Sequence, residues 1–336
     1  MSLFAFAPSP GPRWHLATQA ALGIAAPIAV MTLLGQPSLG YIAASGAFTV
    51  LFAGRAAVVD RARILPLVAA GLLLSAALGA ALSANAVLVS IGVVVVAIVS
   101  AALSFGFRLG PPGPLFFVLV FGLSAHVIAS SPIAPLLYLA ALAAGCLFSY
   151  LVAVSPLLRR RTRAVAARPL KELLPGPTFT PDSRMLLIRV AIVAVLGVLL
   201  GLVIDPVRTY WVVGSAVAVI GVAASRRAAV ERGLHRMLGT VVGAGVYALL
   251  ALLHPAGLWL ALLLGALQFT IELVVVRHYA LALVFITPLV LLLTGAATGE
   301  IGSMDVALER IVDTVAGAAL GAASGVLHPR PGAKDR

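Results

Sequence analysis

Charge is scarce in this sequence: Asp, Glu, Lys and Arg together make up 10% of 336 residues, where soluble domains carry about 25%. That shortage sets aside a water-soluble, multi-domain protein. Acidic residues are the rarer sign, 11 against 23 basic. Cysteine is almost missing, and Cys146 alone excludes an intramolecular disulfide framework and any cysteine-based metal site. The six histidines are scattered, with no H-E-x-x-H or other metal spacing, so neither metal nor cofactor is expected. There is no G-x-x-x-x-G-K-[ST] loop, which excludes ATP use by that route. No convincing Ser/His/Asp motif stands out either, and no enzyme is expected. Met1–Pro12 lacks a basic n-region and no small-residue cleavage site follows the first apolar run, so no cleavable leader is expected.

What the chain has in abundance is apolar residues, 62% of positions, giving a mean hydropathy of +1.12. They fall in runs at 15–35, 38–54, 64–83, 86–105, 114–131, 133–155, 185–204, 210–224, 236–253, 257–276, 279–297 and 304–327, with 38–54 and 210–224 short. Most approach the roughly 20 residues that cross about 30 Å of hydrocarbon. A backbone in hydrocarbon must satisfy its own hydrogen bonds, so such runs are helices. The fold class expected is therefore all-α, a polytopic membrane protein of about twelve transmembrane helices with the lipid bilayer as its first partner.

The net charge of +12 does not point to nucleic acid, because the arginines lie between apolar runs and not on one basic face. With the N-terminus inside, Arg13, Arg55, Arg61, Arg63, Arg108, the group Arg159–Arg163, Arg168 and Lys171 fall on the inner side. Arg226, Arg227, Arg232, Arg236, Arg277, Arg330, Lys334 and Arg336 join them, and Arg208 is the one basic residue in an outer loop. Positive loops stay cytoplasmic. Both termini are therefore expected in the cytoplasm, and the protein in a bacterial inner membrane.

Two copies of one pattern run through the chain. Gln36-Pro37-Ser38-Leu39-Gly40-Tyr41 parallels Asp205-Pro206-Val207-Arg208-Thr209-Tyr210, and Arg55-Ala56-Ala57-Val58 parallels Arg227-Ala228-Ala229-Val230. Arg108 parallels Arg277, and Ser155-Pro156 parallels His328-Pro329. Six helices per copy give both copies one orientation, the parallel-repeat arrangement of some transporters. The expected division is a first six-helix repeat over 1–156, a basic then proline-rich linker over 157–183 contacting the inner leaflet, and a second repeat over 184–336. One chain suffices for a monomer, and a homo-oligomer stays open.

Charged residues inside apolar runs are the remaining anomaly. At mid-bilayer each costs about 2.5–3.5 kcal/mol or more, so each is a functional hypothesis. The first half has no carboxylate within a run, whereas the second holds Glu272, Glu309 and Asp313, with Asp305 near the outer boundary. Asp305, Glu309 and Asp313 are spaced i, i+4, i+8 and so lie along one ridge. Closely spaced carboxyls suit proton exchange; alternatively Arg310 pairs with Asp313 and neutralises it. Glu272, with Gln268 a turn earlier, relays protons or pairs with a loop arginine such as Arg236. Arg189 is expected to snorkel to the inner surface. Tyr210 and Trp211 suit an interfacial aromatic belt or stacking on a substrate, and His126 a packed polar position. Gly317, Gly321 and Gly325 form a ridge for close helix contact.

Tyr210-Trp211, then Arg236-Met-Leu-Gly239-Thr240-Val-Val-Gly243, then Arg310-Ile-Val-Asp313-Thr314 with Gly317, resemble the fusaric acid resistance protein-like family. This family includes aromatic acid exporters of bacterial inner membranes. The match covers roughly residues 185–328; the first half joins it through the internal repeat. The resemblance implies proton-driven export of small aromatic or amphipathic organic acids, with protons and an organic anion as partners. Glu272, Glu309 and Asp313 would couple protons. Arg236, Arg310, Tyr210 and Trp211 would meet substrate or form ion pairs, and Gly239, Thr240, Gly243, Gly317 and Gly321 would pack helices. Leu65, Val68 and Ala69 stand near the places of Arg236, Gly239 and Thr240 in the first half, and Tyr138 and Ala141 replace Arg310 and Asp313. The first half is therefore expected to be scaffold. Two other functions remain open at this point: an organic-anion channel, and a non-transporting scaffold for envelope assembly.

Overall fold

The computed structural model describes residues 6–8, 11–221 and 225–328. The end of the expected 210–224 run, and Arg330, Lys334 and Arg336, lie outside the described residues. Every regular element described is helical. The first half comprises α1 (Trp14–Leu33), α2 (Pro37–Ala44, continued by a 3-10 turn over Ser45–Leu51), α3 (Val58–Leu82), α4 (Ala86–Gly106), α5 (Leu115–Ser130) and α6 (Pro135–Val154). Two single turns follow, α7 (Arg160–Arg163) and α8 (Leu170–Leu173). The second half comprises α9 (Pro181–Ile204), α10 (Thr209–Ile220), α11 (Arg226–Ala251), α12 (Gly257–Val274), α13 (Tyr279–Thr298) and α14 (Met304–Ala323).

The chain is an all-α polytopic membrane protein, in which not all of the twelve expected segments reach a spanning length among the described residues. Among the described residues nine helices are long and apolar enough to cross a bilayer; Pro37–Leu51, Leu115–Ser130 and Thr209–Ile220 are shorter. At 1.5 Å per residue α10 reaches only about 18 Å. It survives at that length because all its residues are buried by protein, and backbone ends at membrane depth are tolerated where protein surrounds them.

Sorting within the helices inverts the soluble rule. On α4, Val87, Ile91, Val95, Val99 and Leu103 face outward, while Ser90, Ala97, Ser100 and Ser104 are buried. Lipid is as apolar as leucine, so helices associate through small residues that let backbones approach. Two of these inward hydroxyls are satisfied within the helix, Ser90 donating to the Ala86 carbonyl at 2.9 Å and Ser100 to the Val96 carbonyl, whereas Ser104 Oγ has no partner.

Helix neighbours recur between the halves. In the first, α3 packs on α5 and α6, and α2 on α1 and α6; in the second, α11 packs on α13 and α14, and α10 on α9 and α14. Across the halves α1 lies on α12, and α4 on α9. The 157–183 segment is clamped to the first half. Arg168 pairs with Asp60 at 2.8 Å, Arg63 donates to the Arg168 carbonyl at 2.6 Å, and the Thr178 amide donates to the Gly106 carbonyl at 3.0 Å.

Candidate functional site: a buried charge ladder in the second half

Glycine brings the four helices of the site together. A Cβ on Gly317 would fall on the Val212 carbonyl, and one on Gly321 would lie 2.7 Å from the Ala216 carbonyl, so α14 sits directly against α10. Gly239 faces the Ala280 carbonyl, and Gly243 lies against Thr287 and the Leu283 carbonyl, closing α11 onto α13. Thr240 is buried on the same face. Gly325, the third glycine of the expected ridge, lies in the 3-10 turn after α14 (Ser324–Leu327) and faces Ala229 of α11.

At the arginine-rich end, Arg236 is buried and ties three helices. Its Nε donates to Ser215 Oγ on α10 at 2.7 Å, and Nη1 donates to the Tyr279 hydroxyl on α13 at 2.9 Å. The Ser215 hydroxyl in turn donates to the Thr314 carbonyl on α14 at 3.1 Å. One turn earlier Arg232 lies over the Tyr279 ring, 3.9 Å from its centroid, and donates to the Ala218 carbonyl at 2.8 Å.

In the middle lie Arg310 and Asp313. Arg310 is 4% exposed and Asp313 fully buried. The Arg310 guanidinium sits 4.8 Å from the Trp211 ring centroid, yet its Nε and Nη1 have no hydrogen-bond partner, and neither do the two carboxylate oxygens of Asp313. The ion pair that their i, i+3 spacing allows is not formed among the described residues. Tyr210 Oη and Thr314 Oγ1 are also buried without partners. Leaving a buried polar group unpaired costs about 1–3 kcal/mol, so each of these groups is a site of unspent hydrogen-bonding capacity.

At the opposite end Arg208, 7% exposed, pairs with Glu309 and with Glu300 at 3.1 Å. It also lies 5.4 Å from the Trp211 centroid, on the ring that Arg310 contacts. Asp205 Oδ1 accepts from the Val207 and Arg208 amides at 3.1 Å, and its Oδ2 has no partner. Asp205 and Asp313 lie close enough for their carboxyls to act on one another, though no hydrogen bond joins them.

Several expectations change. The carboxylate ridge of α14 divides by depth: Asp305 is exposed, Glu309 partly buried and already paired, and Asp313 buried, because the i+4 row winds slowly around a helix. Glu272 is not beside these acids and is not paired with Arg236; it binds Arg13 of the first half at 2.8 Å, with Gln268 donating to it at 3.3 Å. Arg189 does not snorkel. It is fully buried, its Nε donating to Ser324 Oγ at 3.1 Å, since α9 turns that face toward α14. Tyr210 and Trp211 are not a lipid-facing belt but are 3% and 2% exposed, with Tyr210 packed on Gly122 of α5. His126 is partly buried on α5, as a packed polar residue should be.

Ser215, Tyr279 and Glu300 do not stand out in the sequence, and Asp205 and Arg208 do so only as parts of the repeated motif and the outer loop. A signal existed for one of them: Arg208 breaks the positive-inside pattern, and a lone outer arginine demands acidic partners. In the first half Leu65 and Tyr138 are buried and carry no charge. Among the described residues no group of three or more His, Cys, Asp or Glu is placed to hold a metal ion.

Residues 190–324 match the model for the fusaric acid resistance protein-like family. The chain is also 32% identical over 114 residues to the uncharacterized membrane protein YvaC of Bacillus subtilis (strain 168), an alignment covering 34% of this chain and 18% of that protein. The chain thus spans less than a fifth of the length of that relative. No solved structure matches it. The segment similar to the fusaric acid resistance protein-like family, residues 190–324, contains the whole ladder from Asp205 to Asp313.

Proposed function

We propose that the protein is a secondary transporter of the bacterial cytoplasmic membrane that exports small aromatic or amphipathic organic acids, driven by protons. The observation that carries this reading is the juxtaposition, at membrane depth, of Arg310 and Asp313, buried and without hydrogen-bond partners. Intramembrane ionisable groups are costly and mark substrate and proton paths. A guanidinium with free donors recognises a carboxylate. A carboxyl with free oxygens beside it exchanges a proton. In this reading Arg232 and Arg236 receive the anion at the cytoplasmic end, Arg310 holds it over the Trp211 face, and Asp313 gives up or takes a proton as it passes.

Glu309, fixed by Arg208, opens the outer end of the same path. We assign Glu272 to holding the halves together through Arg13. The twelve apolar segments form two parallel six-segment units, with the arginine-rich ends and both termini cytoplasmic; the matching helix neighbours of the two halves support this, as does the positive-inside bias.

The test is uptake of a labelled aromatic acid into inside-out vesicles, with and without an imposed pH gradient. Gradient-driven uptake that disappears in Asp313→Asn and Arg310→Gln at unchanged protein level is the expected result. Flux that follows membrane potential alone, unaffected by Asp313→Asn, would instead make the protein an organic-anion channel. No flux over a broad panel of acids would overturn transport and leave an envelope-assembly scaffold.

A further inference from the structure

We infer that Asp205 and Asp313 act as one unit, a carboxyl dyad that holds a single proton between the end of α9 and the middle of α14. For what the proton does, this rests on the transport reading above; for where it sits, it does not. Asp205 closes α9, is 5% exposed, and uses Oδ1 to accept the Val207 and Arg208 amides. That leaves Oδ2 bare, opposite an Asp313 whose two oxygens are equally bare. α9 and α14 pack together, so the approach is built into the fold.

The surrounding charges do not relieve the pair. From α14, Glu309 adds a further negative charge, and Arg310 acts on Asp313 from a distance while its guanidinium lies on Trp211. Arg208 acts on Asp205's side of the cluster but is engaged by Glu309 and Glu300. From α10 the neighbour is Tyr210, and from α5 it is His126, within electrostatic range of Asp205. From α11 and α13, Arg236 and Tyr279 act on Arg310. Two ionised carboxylates here would repel each other with no donor between them. One proton, taken from water as an O–H bond on either acid, converts that repulsion into a carboxyl–carboxylate hydrogen bond, as in other carboxyl pairs that share a site. Releasing it restores the starting state, with nothing else exchanged.

The dyad makes Asp205 a positioning residue, separable from its capping role. Asp205→Asn keeps the capping oxygen, but its amide donates to Asp313 permanently and takes the proton's place; Asp205→Ser keeps a cap by its hydroxyl and removes the acid. The experiment is infrared difference spectroscopy of the purified protein across a pH step in H2O and D2O, reading the C=O stretch of a buried protonated carboxyl. The expected result is one deuterium-sensitive band in the wild type, lost in Asp313→Asn and equally lost in Asp205→Asn or Asp205→Ser, whichever folds, and retained in Glu309→Gln. A band that survives both Asp205 variants would overturn the dyad, whatever the flux assay gives. A band that behaves as expected in a protein carrying no acid would keep the dyad and overturn transport.

Discussion

Replacing Arg13 by Gln strips the partner from a carboxylate at the seam between the halves. Arg13 Nη2 and Glu272 Oε2 are 2.8 Å apart, with side chains 19% and 7% exposed, and Arg13 Nε also donates to the Glu272 backbone carbonyl at 2.9 Å. Removing one member of a fully buried ion pair costs about 3–5 kcal/mol. Arg13 lies at the edge, where water reaches it, and Gln268 still donates to the carboxylate. The expected loss for Arg13→Gln is therefore about 2 kcal/mol, a change of about 30-fold in the folded population. Glu272→Gln should cost less, about 1 kcal/mol, because the arginine left behind can turn to water. With both charges gone the penalty of an unpaired charge vanishes, so Arg13→Gln/Glu272→Gln should also lose only about 1 kcal/mol, a coupling of about 2 kcal/mol. Denaturant unfolding in detergent, followed by circular dichroism, measures all four proteins. Strictly additive losses would refute the pair as a tie. Loss of proton-driven flux in the double variant, at restored stability, would return Glu272 to the proton path.

Gly317→Val should prevent α14 from seating on α10, because its Cβ meets the Val212 carbonyl, whereas Gly245→Ala, with open space around it, should gain up to about 1 kcal/mol from helix propensity; expression and thermal stability compare the two. Tyr210→Phe removes a buried hydroxyl that has no partner, so it should be neutral or stabilising by about 1 kcal/mol. A fall in flux at unchanged stability would show that the hydroxyl meets the transported acid. Arg208→Gln should lower stability by about 1–3 kcal/mol by releasing Glu300 and Glu309, and Glu309→Gln should restore part of it; additive effects would show that the pairs carry no weight. Cys146, 2% exposed, should react with a maleimide only after denaturation, and rapid labelling of the native protein would contradict the α2–α6 packing.

The amino-acid sequence by itself determined the solvent and the elements. Shortage of charge and long apolar runs require helices in lipid, and glycines at i+4 intervals require close helix contacts, because both depend only on local spacing. Even the Arg236, Arg310 and Asp313 positions stood out, since a charge in an apolar run is conspicuous wherever the helix packs. Tertiary structure decided which of these groups meet. Arg310 and Asp313 are three residues apart yet form no pair, because Trp211 takes the guanidinium face. Glu272 looked like a member of the same acidic set but finds Arg13, 259 residues away. Asp205 stands in the sequence only as the first residue of a repeated motif, and only the packing of α9 on α14 brings its second oxygen toward Asp313. Helix burial follows the same division: α10 is apolar in sequence like any spanning segment, but only its enclosure by neighbouring helices explains why it can be short. Partners across helices are set by rotation and depth, and a one-dimensional pattern of apolar runs carries neither.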